Sequence, residues 1–132
     1  RLQRMQNIAA RIVSRCPKYC HITPVLKSLH WLPVKARIHF KILLLMFKAV
    51  NGLAPHYLCE MIVGYVPVHA LRSADKDLLV VPKTRCKTPG DRSFSVAGPK
   101  EWNMLPSYIK QMKNVQSFKK FLKTYLFSMY FD

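Results

Sequence analysis

Carboxylates are scarce in this chain. Its 132 residues hold six Asp and Glu against 22 Lys and Arg, a formal charge of +16. The first 59 residues carry ten cations and no acidic side chain; Glu60 is the first. A polymerase or nuclease centre needs paired carboxylates to hold divalent metals. Asp75 and Asp77 are the one close pair, and they lie in a polar stretch with Arg72, Ser73 and Lys76, which reads as a solvated loop. Glycine is also sparse: four residues, none in a phosphate-cradling pattern. There is no Gly-x-Ser-x-Gly elbow. His21, His30, His39, His56 and His69 are scattered singly. No catalytic constellation follows, so enzymatic activity is not expected of this chain by itself, and no cofactor.

Four cysteines, Cys16, Cys20, Cys59 and Cys86, are too few and too dispersed for a disulfide scaffold. Cys16-x3-Cys20-His21 resembles half a zinc site, but no second ligand pair follows at a usual distance, so no metal is expected and the thiols read as reduced. Long apolar runs are missing. The longest extends from Ile42 to Phe47 between Lys41 and Lys48, far short of the roughly 20 residues a membrane span requires. The chain opens at Arg1 with no secretory signal and no initiator Met. It is expected to be part of something longer, nuclear or cytoplasmic rather than secreted, with no membrane partner and no small-molecule substrate.

Half of the residues are hydrophobic, so this is no disordered basic tail. Leu2, Met5, Ile8, Ala9, Ile12 and Val13 recur at helical spacing and predict a helix over 2–15, with Arg4, Arg11 and Arg15 on its other side and Pro17 as its stop. Thr23-Pro24 predicts an N-cap and a short helix. Pro33 opens the longest helix, ended by Asn51-Gly52. Ala54-Pro55 starts another. Leu78 to Val81 is β-prone, Thr88-Pro89-Gly90-Asp91 a turn, and Ser93-Phe94-Ser95-Val96 alternates with period two, so a short two-stranded β-ribbon is expected there. Gly98-Pro99 and Pro106-Ser107 open helical turns. Ser117 is read as the cap of a last helix carrying Phe118, Phe121, Leu122, Tyr125, Leu126 and Met129 on one stripe. The expected fold is mainly α: a small helical domain with a two-stranded ribbon, in three parts (1–65, basic and helical; 66–97, loop and ribbon; 98–132, helical) of one domain.

An excess of cations on this scale calls for a polyanion, most often nucleic acid. Arg37, Lys41 and Lys48 share one face of the long helix by their spacing of four and seven. Lys83, Arg85, Lys87 and Arg92 gather around the expected ribbon tip, where they can approach a phosphate backbone. Lys119, Lys120 and Lys123 fall on the solvent side of the last helix. These ten are the candidate nucleic-acid contacts. Trp31 and Trp102 lie in apolar contexts and are assigned to the core rather than to base stacking.

Ordered blocks then point to a family. His21-Ile22-Thr23-Pro24-Val25-Leu26, Leu29-His30-Trp31-Leu32-Pro33-Val34, Arg37-Ile38, Phe40-Lys41-Ile42-Leu43-Leu44-Leu45 and Gly52-Leu53-Ala54-Pro55 with Tyr57-Leu58 resemble the region after the polymerase core in non-LTR (LINE-type, Jockey-like) retrotransposon reverse transcriptases. So do Leu71-Arg72-Ser73, Gly90-Asp91-Arg92-Ser93-Phe94-Ser95-Val96, Trp102-Asn103 with Leu105-Pro106, and Ser117-Phe118-Lys119 with Leu122-Lys123-Thr124. The resemblance implies a non-catalytic, thumb-side C-terminal part that grips template RNA and primer DNA during target-primed reverse transcription. Its catalytic aspartates and magnesium would reside in an upstream palm, which would be its protein partner, in a parent polyprotein that also carries an endonuclease. The alternative is a truncated remnant, a docking module without independent activity. A C-terminal zinc knuckle found in some relatives is missing.

Overall fold

The structure, a computed structural model, describes residues 1–66, 77–85 and 87–132, and for residues 87 and 88 the backbone only. The chain is mainly helical, with eight helices among the described residues: α1 (Leu2–Val13), α2 (Ile22–Ser28), α3 (Val34–Val50), α4 (His56–Glu60), α5 (Lys87–Asp91), α6 (Phe94–Met104), α7 (Ser107–Lys110) and α8 (Val115–Phe131). None of them is long and apolar enough to cross a membrane. The chain divides into two compact units, residues 1–40 with 122–132, and residues 41–121. This division runs through α3 and α8.

Three helices end by one device. After α1, Arg15 takes the left-handed conformation (φ 48°), its N–H bonds the Ile12 carbonyl (3.2 Å), and the Cys16 N–H bonds that of Arg11 (3.0 Å). His30 (φ 52°) does the same after α2, with Trp31 N to Leu26 O at 2.9 Å, and Gly52 (φ 68°) after α3, with Leu53 N to Lys48 O at 2.7 Å. Each is a Schellman stop, which satisfies carbonyls the helix leaves orphaned. The Asn51-Gly52 stop was legible. The stop at Arg15, two residues before Pro17, was not, because arginine carries no preference for that conformation.

In the first unit, Ala10, Leu26, Leu32, Ala36, Leu122 and Leu126 form the buried core. α1 is held there by its polar side. Gln6 Nε2 donates to the Leu32 carbonyl (2.8 Å), and Gln3 Oε1 accepts from the Val34 N–H (2.8 Å), one of the orphan donors at the start of α3. Leu2, Met5, Ile8, Ile12 and Val13 face outward, each 58–71% exposed. The apolar stripe that periodicity assigns to a core is thus turned away from it. α2 starts at Ile22, with Pro24 inside its first turn rather than opening it; an N–H there has no intrahelical partner to lose. Lys27 Nζ meets Asp132 Oδ1 at 2.8 Å and, with the Ser128 hydroxyl, holds that carboxyl below its usual range.

In the second unit Phe47 stacks on Phe118 (centroids 4.1 Å apart), Trp102 lies 6.2 Å from Phe118, and Met46 crosses directly over Gly98, leaving no room for a Cβ. Leu43, Ala49, Leu79, Val96, Leu105 and Ile109 complete this core. The expected ribbon is not formed among the described residues. Ser93 precedes α6, its Oγ donates to the Gly90 carbonyl (2.7 Å), and residues 94–96 are the first turn of that helix. Four alternating residues are too short a window to separate the two periods. The buried positions Val96, Pro99 and Trp102 follow at intervals of three, a helical face. Gly98 and Pro99 therefore lie within α6 instead of opening a turn. The β-prone segment pairs elsewhere: Leu79 forms an isolated antiparallel bridge with Gly64, through Tyr65 N to Leu78 O and Val80 N to Val63 O, both 2.9 Å. The Asn103 amide closes its other edge, accepting from Leu79 N and donating to Leu79 O, each at 2.8 Å. Asn114, not Ser117, caps α8: its Oδ1 accepts from Gln116 N at 2.8 Å.

Trp102 is 1% exposed, and its Nε1 donates to the Asp77 carbonyl (3.1 Å). Trp102→Ala is expected to lower unfolding stability by about 3–5 kcal/mol in urea titration. A loss under about 1 kcal/mol would show that this core can collapse around the gap.

Candidate nucleic-acid interface

The segment between α2 and α3 is short, and its backbone is already committed. The Schellman stop fixes His30 and Trp31, and the Leu32 carbonyl accepts both Gln6 Nε2 and Arg37 Nε (3.2 Å). This places His30 against Phe127 of α8, with ring centroids 5.5 Å apart; Phe127 in turn lies 4.6 Å from Phe131. Two adjoining hollows open in the first unit. One, about 370 Å³, is lined by His30, Lys123, Thr124 and Phe127. The other, about 280 Å³, is lined by His30, Trp31, Leu32, Arg37, Phe40 and Lys123. They share His30 and Lys123. The result is a groove with aromatic walls and a cation from each of two helices, Arg37 on α3 and Lys123 on α8.

Aromatic faces stack bases of any identity, at about 1–3 kcal/mol each, while cations track the phosphates between them. The groove offers both kinds of group. Trp102 belongs to the core as expected. Trp31 does not: it is half-buried and lines the groove. Sequence reasoning does not bring out His30, Trp31, Phe40 and Phe127 as groove-lining residues, because an apolar neighbourhood in sequence hides a ring that borders a surface hollow. A positive-φ residue followed by Trp at a helix stop is the one local sign, and it is visible only with backbone angles in hand.

The other candidates are spread out. Lys41 is exposed and Lys48 half-buried further along α3. Lys119 is half-buried and Lys120 exposed on α8. Lys83, Arg85 and Arg92 are exposed around α5, where the Thr84 hydroxyl donates to Asp91 Oδ1 at 3.3 Å; they surround a helical turn, not a ribbon tip. Lys87 begins α5, and its side chain lies outside the described residues, as do His69, Arg72, Asp75 and Cys86. Among the described residues no group of three or more His, Cys, Asp or Glu is arranged to hold a metal ion. Asp77 is exposed, with φ 46°, and contributes its carbonyl to Trp102.

Cys16 and Cys20 are free thiols in the first unit. A hydrogen bond with Cys20 raises the Cys16 pKa, helped by desolvation and by the Cys20 charge, while Arg11 pulls the other way. No protein-family model matches the chain, and no curated protein and no solved structure matches it.

A raised pKa keeps Cys16 as the unreactive thiol at neutral pH. Cys20→Ala removes the largest cause, so the midpoint of Cys16 alkylation rate against pH is expected to move down. An unchanged or higher midpoint would contradict the pairing.

Proposed function

We propose that this chain is a nucleic-acid-gripping, non-catalytic region of a retrotransposon reverse transcriptase, holding template RNA and primer DNA beside an active centre carried elsewhere. What carries the reading is the groove of His30, Trp31, Phe40 and Phe127 with Arg37 and Lys123, set in a chain of charge +16. A polyanion supplies the missing counter-charge, and single-stranded bases find faces to stack on. The ordered sequence blocks that resemble the post-palm region of non-LTR elements support the particular family. Lys41, Lys48, Lys83, Arg85, Lys87, Arg92, Lys119 and Lys120 would add contacts to phosphate, which position a nucleic acid without reading its sequence. On this reading magnesium and the chemistry would belong to an upstream palm, as the resemblance implies, and the scarcity of carboxylates in this chain is in keeping with it.

A second reading, a docking module derived from such an element and without independent activity, is favoured by the exposed apolar side of α1. The two readings part on selectivity. A specific grip prefers an RNA–DNA hybrid or single strand over heparin at matched salt, whereas a remnant treats them as equivalent polyanions.

The groove separates charge from stacking. Binding of a labelled single-stranded oligonucleotide, followed by anisotropy across a salt series, should weaken with a slope near −0.7 per neutralised phosphate. Arg37→Ala with Lys123→Ala is expected to flatten the slope by about 1.4, two contacts at that value. Trp31→Ala is expected to cost about 1–3 kcal/mol at every salt concentration and leave the slope unchanged. Charge variants that bind with the wild-type slope would remove the groove from the interface.

A further inference from the structure

α1 is an inverted amphipathic helix. Its amides fasten it to the rest of the first unit, Gln3 to Val34 and Gln6 to Leu32, and its own Ala10 is fully buried on that side. Leu2, Met5, Ile8, Ile12 and Val13 stand in solvent. Exposed apolar ridges of this kind mark interaction sites. Leu2, Met5, Ala9 and Ile12 follow at intervals of three, four and three, the repeat of a helix–helix seam, with Ile8 and Val13 beside it. At its C-terminal end the ridge runs into a hollow of about 450 Å³ lined by Ile8, Arg11, Ile12, Arg15, Cys16 and Lys18. Arg11 donates through Nη2 to the Cys20 carbonyl (3.4 Å), but its buried Nε finds no acceptor among the described residues.

From this ridge and its cationic end we infer that α1 docks an acidic amphipathic helix of a partner protein, apolar residues seated along the ridge and carboxylates over Arg15 and Lys18. Charge selects this occupant. A second copy would bring Arg1, Arg4, Arg11, Arg15 and Lys18 against their like, with no acidic residue nearby to relieve them. A lipid surface is the weaker fit: α1 has no Trp, Tyr or Phe to sit at the headgroup level, and its seam spacing suits the side chains of another helix. The inference rests on the docking reading of α1 and names its partner; it is independent of the nucleic-acid reading and uses none of the groove residues.

The test uses the full chain and a labelled synthetic helix of about three heptads, with Leu on its seam and Glu on its flanks. It is compared with the same peptide carrying Lys for Glu, with vesicles of phosphatidylcholine containing about one-third phosphatidylserine, and with the chain alone in sedimentation. The acidic peptide should bind and the Lys peptide should not. Ile8→Ser with Ile12→Ser, both at exposed positions, should weaken binding by about tenfold or more with the circular dichroism spectrum unchanged. Arg15→Glu with Lys18→Glu should shift preference toward the Lys peptide. Equal binding of both peptides, no binding of the acidic one, stronger capture by vesicles, or dimerisation through these residues would each overturn it. Loss of oligonucleotide binding in Trp31→Ala would leave the result untouched, so the two readings fail separately.

Discussion

The constraint on which the structure depends is an excess of positive charge that the chain has no means of neutralising itself. Six carboxylates can neutralise at most six of the 22 positive charges. Individual pairs such as Lys27–Asp132 and His56–Glu60 are exposed and contribute little to stability. Cohesion therefore comes from apolar burial and from neutral hydrogen bonds. Neutral amides do much of this work: Gln3 and Asn114 accept from backbone N–H groups at helix starts, as Asp or Glu could, whereas Gln6 and Asn51 donate to carbonyls and Asn103 does both at Leu79, roles that need an N–H. This arrangement leaves the net charge intact and available to a polyanion.

Within the second unit, Phe47 of α3, Trp102 of α6 and Phe118 of α8 form one aromatic cluster, and Gly98 lets Met46 approach the α6 backbone directly. The first unit has smaller buried residues, Ala10 and Ala36 among them, and keeps its rings at the surface instead. His30, Trp31, Phe40 and Phe127 gain an open face from that choice. The same unit carries the inverted α1, so two kinds of unsatisfied surface coexist there: rings beside cations, and an aliphatic ridge.

Much of the helical order was legible in the sequence, for identifiable reasons. α3 and α8 are long, periodic and bounded by Pro33 and Gly52 or by polar residues. Errors fell where a short window competes with tertiary contacts. Ser93 to Val96 alternates like a strand, yet Ser93 stands at the N-cap and residues 94–96 begin a helix whose Val96, Pro99 and Trp102 are buried on one face. Ser117 was a plausible cap, but Asn114 sits one turn earlier with its amide on Gln116. The orientation of α1 defied the usual rule, since periodicity reports that one side differs from the other and not which side faces inward. Of the groove, Arg37 and Lys123 are legible in the sequence as candidate cations; their grouping is not. Arg37 and Lys123 are 86 positions apart in the chain (123 − 37) and meet only because α3 and α8 frame one groove.

The most direct measurement of the central claim is the fluorescence of Trp31 in a Trp102→Phe background, where it is the sole indole, as single-stranded RNA is added at low and then high salt. The account predicts quenching by stacking that saturates with binding and reverses as salt releases the strand. Binding without any change at Trp31, or quenching indifferent to salt, would contradict a groove that joins aromatic faces to uncompensated cations.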